Sequence, residues 1–115
     1  MIDLTYTRKV YLYSGATDFR KGPLSLASMV KNDFDLDHIE GFLFVFCNSS
    51  KTSIKILERE RTGFSLYQKK LDKGKFEYPQ IQANAEITPD ELRILVSGLD
   101  FVKILESAGK KINIR

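Results

Sequence analysis

Side chains that could do chemistry are few in this chain. The single histidine, His38, and the single cysteine, Cys47, cannot supply a zinc site of the usual Cys/His type. His38 lies in an acidic stretch, with no nucleophile at a spacing that predicts a catalytic triad. Both common glycine-rich phosphate-binding patterns are missing, so nucleotide cradling by such a loop is not predicted either.

Carboxylates could in principle form a metal site of another kind. Asp33, Asp35 and Asp37 alternate within a short stretch, and such oxygens could hold Mg²⁺. Alternation of short acids in a loop is, however, more typical of a solvated connection between elements. We therefore expect no enzyme activity, no cofactor and no metal site.

Basic side chains give the main functional signal. Residues 51–75 hold eight lysines and arginines against three acids, so this segment carries net +5, more than the +3 of the whole chain. The flanking residues 31–47 and 76–108 are acidic, with net charges of −3 and −4. A basic middle between acidic flanks predicts a polarised surface that suits an acidic partner such as DNA.

Seven cations are candidates for contact with nucleic acid or a protein partner: Arg20, Lys21, Lys55, Lys69, Lys70, Lys73 and Lys75. Aromatic residues interleave with the lysines of this basic segment, as they do on surfaces that bind nucleic acid. Alternatively, the lysines keep an edge strand soluble and unpaired. For Arg20 and Lys21, the alternative is that Asp18 or Thr17 caps the next helix and both cations are solvated.

Length and composition predict one domain, residues 1–115, with a structured core at about 9–108 and a frayed C-terminal tail. A lone cysteine in an apolar run excludes an internal disulfide framework and favours a reducing compartment. No apolar stretch approaches the ~18 residues that a membrane helix needs. The first residues also lack the pattern of a signal peptide. We expect a cytoplasmic protein with no membrane partner.

The first elements follow from local patterns. Residues 9–13 are rich in β-branched and aromatic side chains and predict a strand. Pro23 predicts the first position of a helix that continues to about Asn32. The continuous apolar run at residues 42–47 predicts a strand buried on both faces.

Three more strands are predicted after this run. They cover residues 53–59, 64–71 and 75–78, and turn residues separate them. Short hairpin-like connections in succession predict an antiparallel meander.

The sequence Thr88-Pro89-Asp90-Glu91 predicts a capping box and the start of another helix. Gly98 is predicted to end or kink it. Residues 101–106 are predicted to form a further short helix that stops at Gly109. The whole predicts an α+β fold: a mostly antiparallel sheet of four to five strands, with two or three helices packed on one face.

The succession of segments resembles a known family. The matching pieces are T-D-F-R-K-G at residues 17–22, G-F-L-F-V-F at 41–46, I-K-I-L at 54–57, the run at 63–79, and I-T-P-D-E-L at 87–92. In this order and spacing, they resemble the small accessory protein TnpB of the insertion-sequence-sixty-six type of bacterial mobile elements. The resemblance covers about residues 9–105. Family members usually carry arginines just after the F-V-F strand, where this chain has Asn48-Ser49-Ser50-Lys51.

The resemblance implies an accessory role in DNA transposition, beside a separate transposase that carries the catalytic acids. The implied partners are that transposase and the DNA of the element ends. Our first hypothesis is that a basic sheet face, helped by Arg20 and Lys21, binds the DNA backbone with little sequence discrimination. The alternative is an interaction module that docks on the transposase without touching DNA. A third hypothesis is a metal-dependent nuclease that uses Asp18 and the acids of residues 33–37. The oligomeric state is left open.

Overall fold

A five-stranded sheet forms the centre of the molecule. The computed structural model describes residues 9–98 together with Lys103, Glu106 and Gly109. The strands are β1 (Val10–Leu12), β2 (Leu43–Cys47), β3 (Ser53–Glu60), β4 (Gly63–Lys70) and β5 (Ala85–Ile87). Their order in the sheet is β4-β3-β2-β1-β5. Only the β1–β2 pair is parallel, so the predicted α+β fold with a mostly antiparallel sheet is confirmed.

Two helices flank this sheet in the described part of the chain. Helix α1 (Pro23–Asp33) supplies the crossover that the parallel β1–β2 pair requires. Helix α2 (Pro89–Ser97) begins with the predicted capping box, in which Thr88 and Glu91 each bond the other's backbone N–H. It ends at Gly98, whose positive φ closes the last turn. No helix among the described residues is long and apolar enough to cross a membrane.

The helices lie on opposite faces of the sheet, so the expectation that they share one face is wrong. Leu26 and Val30 of α1 pack on the face that carries Phe44. Leu92 and Leu95 of α2 pack on the other face, in one cluster with residues 43, 45 and 47 of β2. The reason is the composition of β2, because all five of its residues are buried and apolar, and each of its two faces needs its own cover.

The predicted meander is confirmed for β2, β3 and β4, but its last strand at residues 75–78 is wrong. Phe76 and Tyr78 are buried in the core, which produces the alternation seen in the sequence. Their backbone joins no strand; the Phe76 N–H donates to the Lys51 carbonyl at 2.7 Å. The segment instead crosses to the far edge of the sheet, where β5 pairs with β1. With three residues, β5 is too short to give a periodic signal.

The predicted helix at residues 101–106 and the predicted tail lie mostly outside the described residues. Lys103 and Glu106 are helical, and Gly109 has a positive φ of 78°.

Candidate nucleic-acid interface

The strand directions gather the basic segments at one end of the sheet. Strands β1, β2 and β4 finish at this end, and β3 begins there. The loop after β1 is tied to it by the Thr17 N–H, which donates to the Cys47 carbonyl at 2.8 Å. The loop after β4 is tied to the β2–β3 turn by bonds from Leu71 to Thr52 and from Phe76 to Lys51. We call this the basic end; its cations are Arg20, Lys21, Lys51, Lys69, Lys70, Lys73 and Lys75.

Acids are concentrated at the opposite end. Among the residues that the structure describes, three acids accompany the seven cations of the basic end, namely Asp18, Asp72 and Glu77. The opposite end holds the loop before β2, the β3–β4 turn and the start of α2. Its acids are Asp35, Asp37, Glu40, Glu58, Glu60, Asp90 and Glu91, against the cations Lys9, Arg59, Arg61 and Arg93. The charge asymmetry of the sequence therefore becomes a polarity along the strands.

Most of the candidate cations are free to meet a partner. Arg20, Lys21, Lys70, Lys73 and Lys75 are exposed. Because helices cover both faces of the sheet, these cations surround one of its ends. The expectation of a basic sheet face is therefore wrong in its geometry, although six of the seven predicted residues lie at the basic end.

Lys69 has a structural contact. Its side chain is on the same face as α2, and its ammonium donates to the Val96 carbonyl at 2.8 Å. This carbonyl belongs to the last turn of α2, where a cation also stabilises the helix dipole. Lys69 is thus partly committed to holding α2 on the sheet.

Lys55, the remaining candidate, is buried, with 6% of its surface exposed. Its ammonium donates to the carbonyls of Phe19 and Lys21 at 3.0 and 2.9 Å, and lies 4.8 Å from the centre of the Phe19 ring. Lys55 therefore anchors the loop of residues 17–22 instead of facing solvent. In the sheet, Lys55 pairs with Phe46 of β2, which is also buried. The alternation of residues 53–56 in the sequence did not reveal this burial.

Asp18 holds the neighbouring Arg20 in place. The Arg20 Nε lies 3.1 Å from both Asp18 carboxylate oxygens, and Nη2 lies 2.7 Å from one of them. These hydrogen bonds lower the pKa of Asp18 to about 2. The Arg20 side chain is nevertheless 92% exposed, so its outer N–H groups face solvent.

The β2–β3 turn is fixed by Asn48. Its side-chain carbonyl accepts from the backbone N–H groups of Thr52 and Ser53, each at 3.0 Å. Lys51 in this turn has a positive φ of 61°. Sequence reasoning did not select Lys51 as a contact residue, although the turn signal at residues 48–50 places it at an apex beside the basic strands.

A cleft of about 530 Å³ opens between the two connections that follow β1 and β2. It is lined by residues 16–20 on one side and by Asn48 and Ser49 on the other. The cleft therefore lies at the carboxyl ends of the parallel strand pair and within the basic end.

The acids considered for metal binding each form hydrogen bonds with different protein groups. Asp18 binds Arg20, Asp33 accepts from the Tyr13 hydroxyl at 2.8 Å, and Asp35 bonds Asp37 and His38. Among the described residues, no group of three or more His, Cys, Asp or Glu side chains could hold a metal ion.

Comparisons with known proteins agree with the resemblance seen in the sequence. The family model of the IS66 Orf2 like protein matches residues 8–106. Protein y4hO of Sinorhizobium fredii (strain NBRC 101917 / NGR234) is 36% identical over 94 residues, which cover 81% of this chain and 82% of the relative. Protein y4jC of the same strain is 27% identical over 104 residues, covering 90% and 89%.

No solved structure matches the chain. The family match covers most of the sequence, including the loop at residues 17–22, the meander and the start of α2. This chain therefore belongs to the IS66 Orf2 like family, the accessory proteins of IS66 insertion sequences.

Proposed function

We propose that this protein is a non-enzymatic accessory factor of transposition that binds the DNA backbone through its basic end, with little sequence discrimination. The observation that carries the proposal is the gathering of five exposed cations from two separate segments, residues 20–21 and 70–75, at one end of the sheet: Arg20, Lys21, Lys70, Lys73 and Lys75. The family supplies the context, since it belongs to insertion sequences, which are DNA elements.

The geometry favours phosphate contacts over base reading. The cations are carried by loops and a strand end, and both helices pack on the sheet through their apolar faces. Neither α1 nor α2 stands clear of the sheet to enter a major groove. Lysines and arginines that neutralise phosphates release counterions, which makes affinity salt-dependent and largely independent of sequence.

Fluorescence anisotropy with labelled duplexes tests this function. We expect element-end DNA and an unrelated duplex of equal length to bind with similar affinity at low salt. Five phosphate contacts predict a slope of about −4 to −5 in log K against log salt concentration. Absence of binding to either duplex at low salt would rule the proposal out, and intact plasmid after incubation with Mg²⁺ or Mn²⁺ would exclude nuclease activity.

Docking on the transposase is the second candidate function. Leu24, in the first turn of α1, is 85% exposed and lies three residues after Lys21. An exposed leucine beside cations suits a protein surface that combines an apolar pocket with acids. Co-purification of tagged transposase with this protein, and its loss on Leu24→Ser, would support docking. No co-purification with the wild-type chain would exclude it.

A further inference from the structure

The cleft between the β1 loop and the β2–β3 turn differs in charge from its surroundings. Asp18 and Arg20 form an ion pair in its lining, which leaves this part of the wall net neutral. Lys21 continues the loop beyond Arg20, and Lys51 follows Ser49 by two residues in the β2–β3 turn. The two cations therefore follow the two sides of this neutral wall along the chain.

This lining offers several kinds of contact. Both carboxylate oxygens of Asp18 already accept hydrogen bonds from Arg20, but Arg20 still presents outer N–H groups and Ser49 presents an exposed hydroxyl. Ala16 and Phe19 add apolar surface to the wall. The cleft has a volume of about 530 Å³ and is open to solvent over much of its extent.

A bare phosphate gains little from this arrangement, because Asp18 already compensates the positive charge of Arg20. Flat groups with both donors and acceptors on their edge fit better, and nucleobases have this character. Within a duplex these edges are paired and stacked, so only an unpaired base can enter a cleft.

We propose that the cleft binds one unpaired nucleotide of DNA, with its base in the cleft and its flanking phosphates toward Lys21 and Lys51. This assignment rests on the proposed DNA binding by the basic end. In that setting the cleft distinguishes DNA with an unpaired end from fully paired DNA. Base contacts of this kind change affinity by roughly tenfold per base.

Two labelled hairpin duplexes of equal paired length test the assignment, one blunt and one with a short single-stranded overhang. We expect the wild-type protein to bind the overhang form about tenfold more tightly at the same salt concentration. Equal affinities would overturn the cleft assignment while leaving backbone binding intact. Absence of binding to both forms would instead remove the proposed function itself.

A matched pair of variants locates the effect. Ser49→Trp fills the cleft without changing charge, whereas Ser50→Trp places the same side chain on the adjacent residue, outside the cleft lining. Both serines are exposed, and thermal unfolding checks that both variants fold. Ser49→Trp should abolish the preference for the overhang, and Ser50→Trp should keep it. A preference that survives Ser49→Trp, or that both variants lose equally, would contradict the assignment.

Competition with a free deoxynucleoside monophosphate tests whether the cleft binds a nucleotide within DNA or a free nucleotide. Added in excess, it should displace the overhang form down to the affinity of the blunt form. A mononucleotide that binds wild type but not Ser49→Trp, with no preference for the overhang, would overturn DNA as the source of the nucleotide.

Discussion

The most informative single residue is Lys55, a cation in the interior. Its ammonium donates hydrogen bonds to the carbonyls of Phe19 and Lys21. These bonds fix the loop that carries Arg20 and Lys21. Lys55→Met keeps much of the apolar stem and removes both hydrogen bonds. We expect a loss of about 1–3 kcal/mol in the free energy of unfolding, measured by urea denaturation, because buried acceptors are left unsatisfied.

Lys70→Met is the matched control for this change. Lys70 is exposed near the end of the adjacent strand, so its substitution should alter stability by no more than about 0.5 kcal/mol. If the two variants are equally stable, the anchoring role of Lys55 is wrong.

The buried thiol of Cys47 and the buried hydroxyl of Tyr78 predict a loss of stability at high pH. Burial raises the pKa of the Cys47 thiol from 9.0 to about 11, and burial also raises the pKa of the Tyr78 hydroxyl. The native state therefore holds protons that the unfolded chain releases, and this stability is fully present below about pH 9. We expect the urea midpoint to fall between pH 9 and 11, and to fall less steeply in Cys47→Ala. A midpoint that is constant over this range would contradict the expectation.

At the scale of elements, Tyr78 ties the long connection between β4 and β5 to the sheet. Its buried hydroxyl donates to the backbone carbonyl oxygens of Tyr13 and Val45, which lie 2.7 and 3.0 Å away. Tyr78→Phe should cost about 1–2 kcal/mol of unfolding free energy, because one buried donor is lost from these carbonyls. Tyr67→Phe, on the half-buried part of β4, should cost much less in the same urea titration.

The elements with a long local pattern were predictable from sequence. The strand β3, the turns around it and the capping box of α2 depend on neighbouring residues alone, and the structure confirms them. The expectation that β3 is half-buried, with Ser53 and Lys55 on an exposed side, is wrong, because residues 53–57 are all buried. The parallel β1–β2 pairing and the short strand β5 depend on distant partners, which no local pattern records. Alternation at residues 75–78 correctly predicted that Phe76 and Tyr78 are buried, but it wrongly predicted a strand. An extended segment that crosses a core buries every second side chain, as a strand does.

The site was predictable in its residue types more than in its arrangement. Charge counting selected six residues that lie at the basic end. It could not show that Lys55 is inside, because a lysine among apolar residues on a strand is equally compatible with an exposed face and with a buried anchor. The cleft depends on two loops separated by about thirty residues, so it required the fold.

At the scale of the whole molecule, charge is polarised along the strands. The loops that carry the basic residues lie together at the basic end of the sheet. The acidic loop before β2 and the start of α2 lie at the opposite end. DNA should therefore approach along the strand axis at the basic end and be repelled at the opposite one.

Charge reversal at the two ends tests this polarity most directly. The first variant is Lys70→Glu, Lys73→Glu and Lys75→Glu at the basic end; the second is Lys9→Glu, Lys31→Glu and Arg61→Glu, all exposed and away from it. Both variants change the net charge equally, and DNA affinity is measured by anisotropy over a salt series. We predict that the first variant lowers the salt slope by about 3 and loses most binding at low salt, whereas the second keeps the wild-type slope. Equal loss in both variants, or no loss in the first, would contradict binding through the basic end.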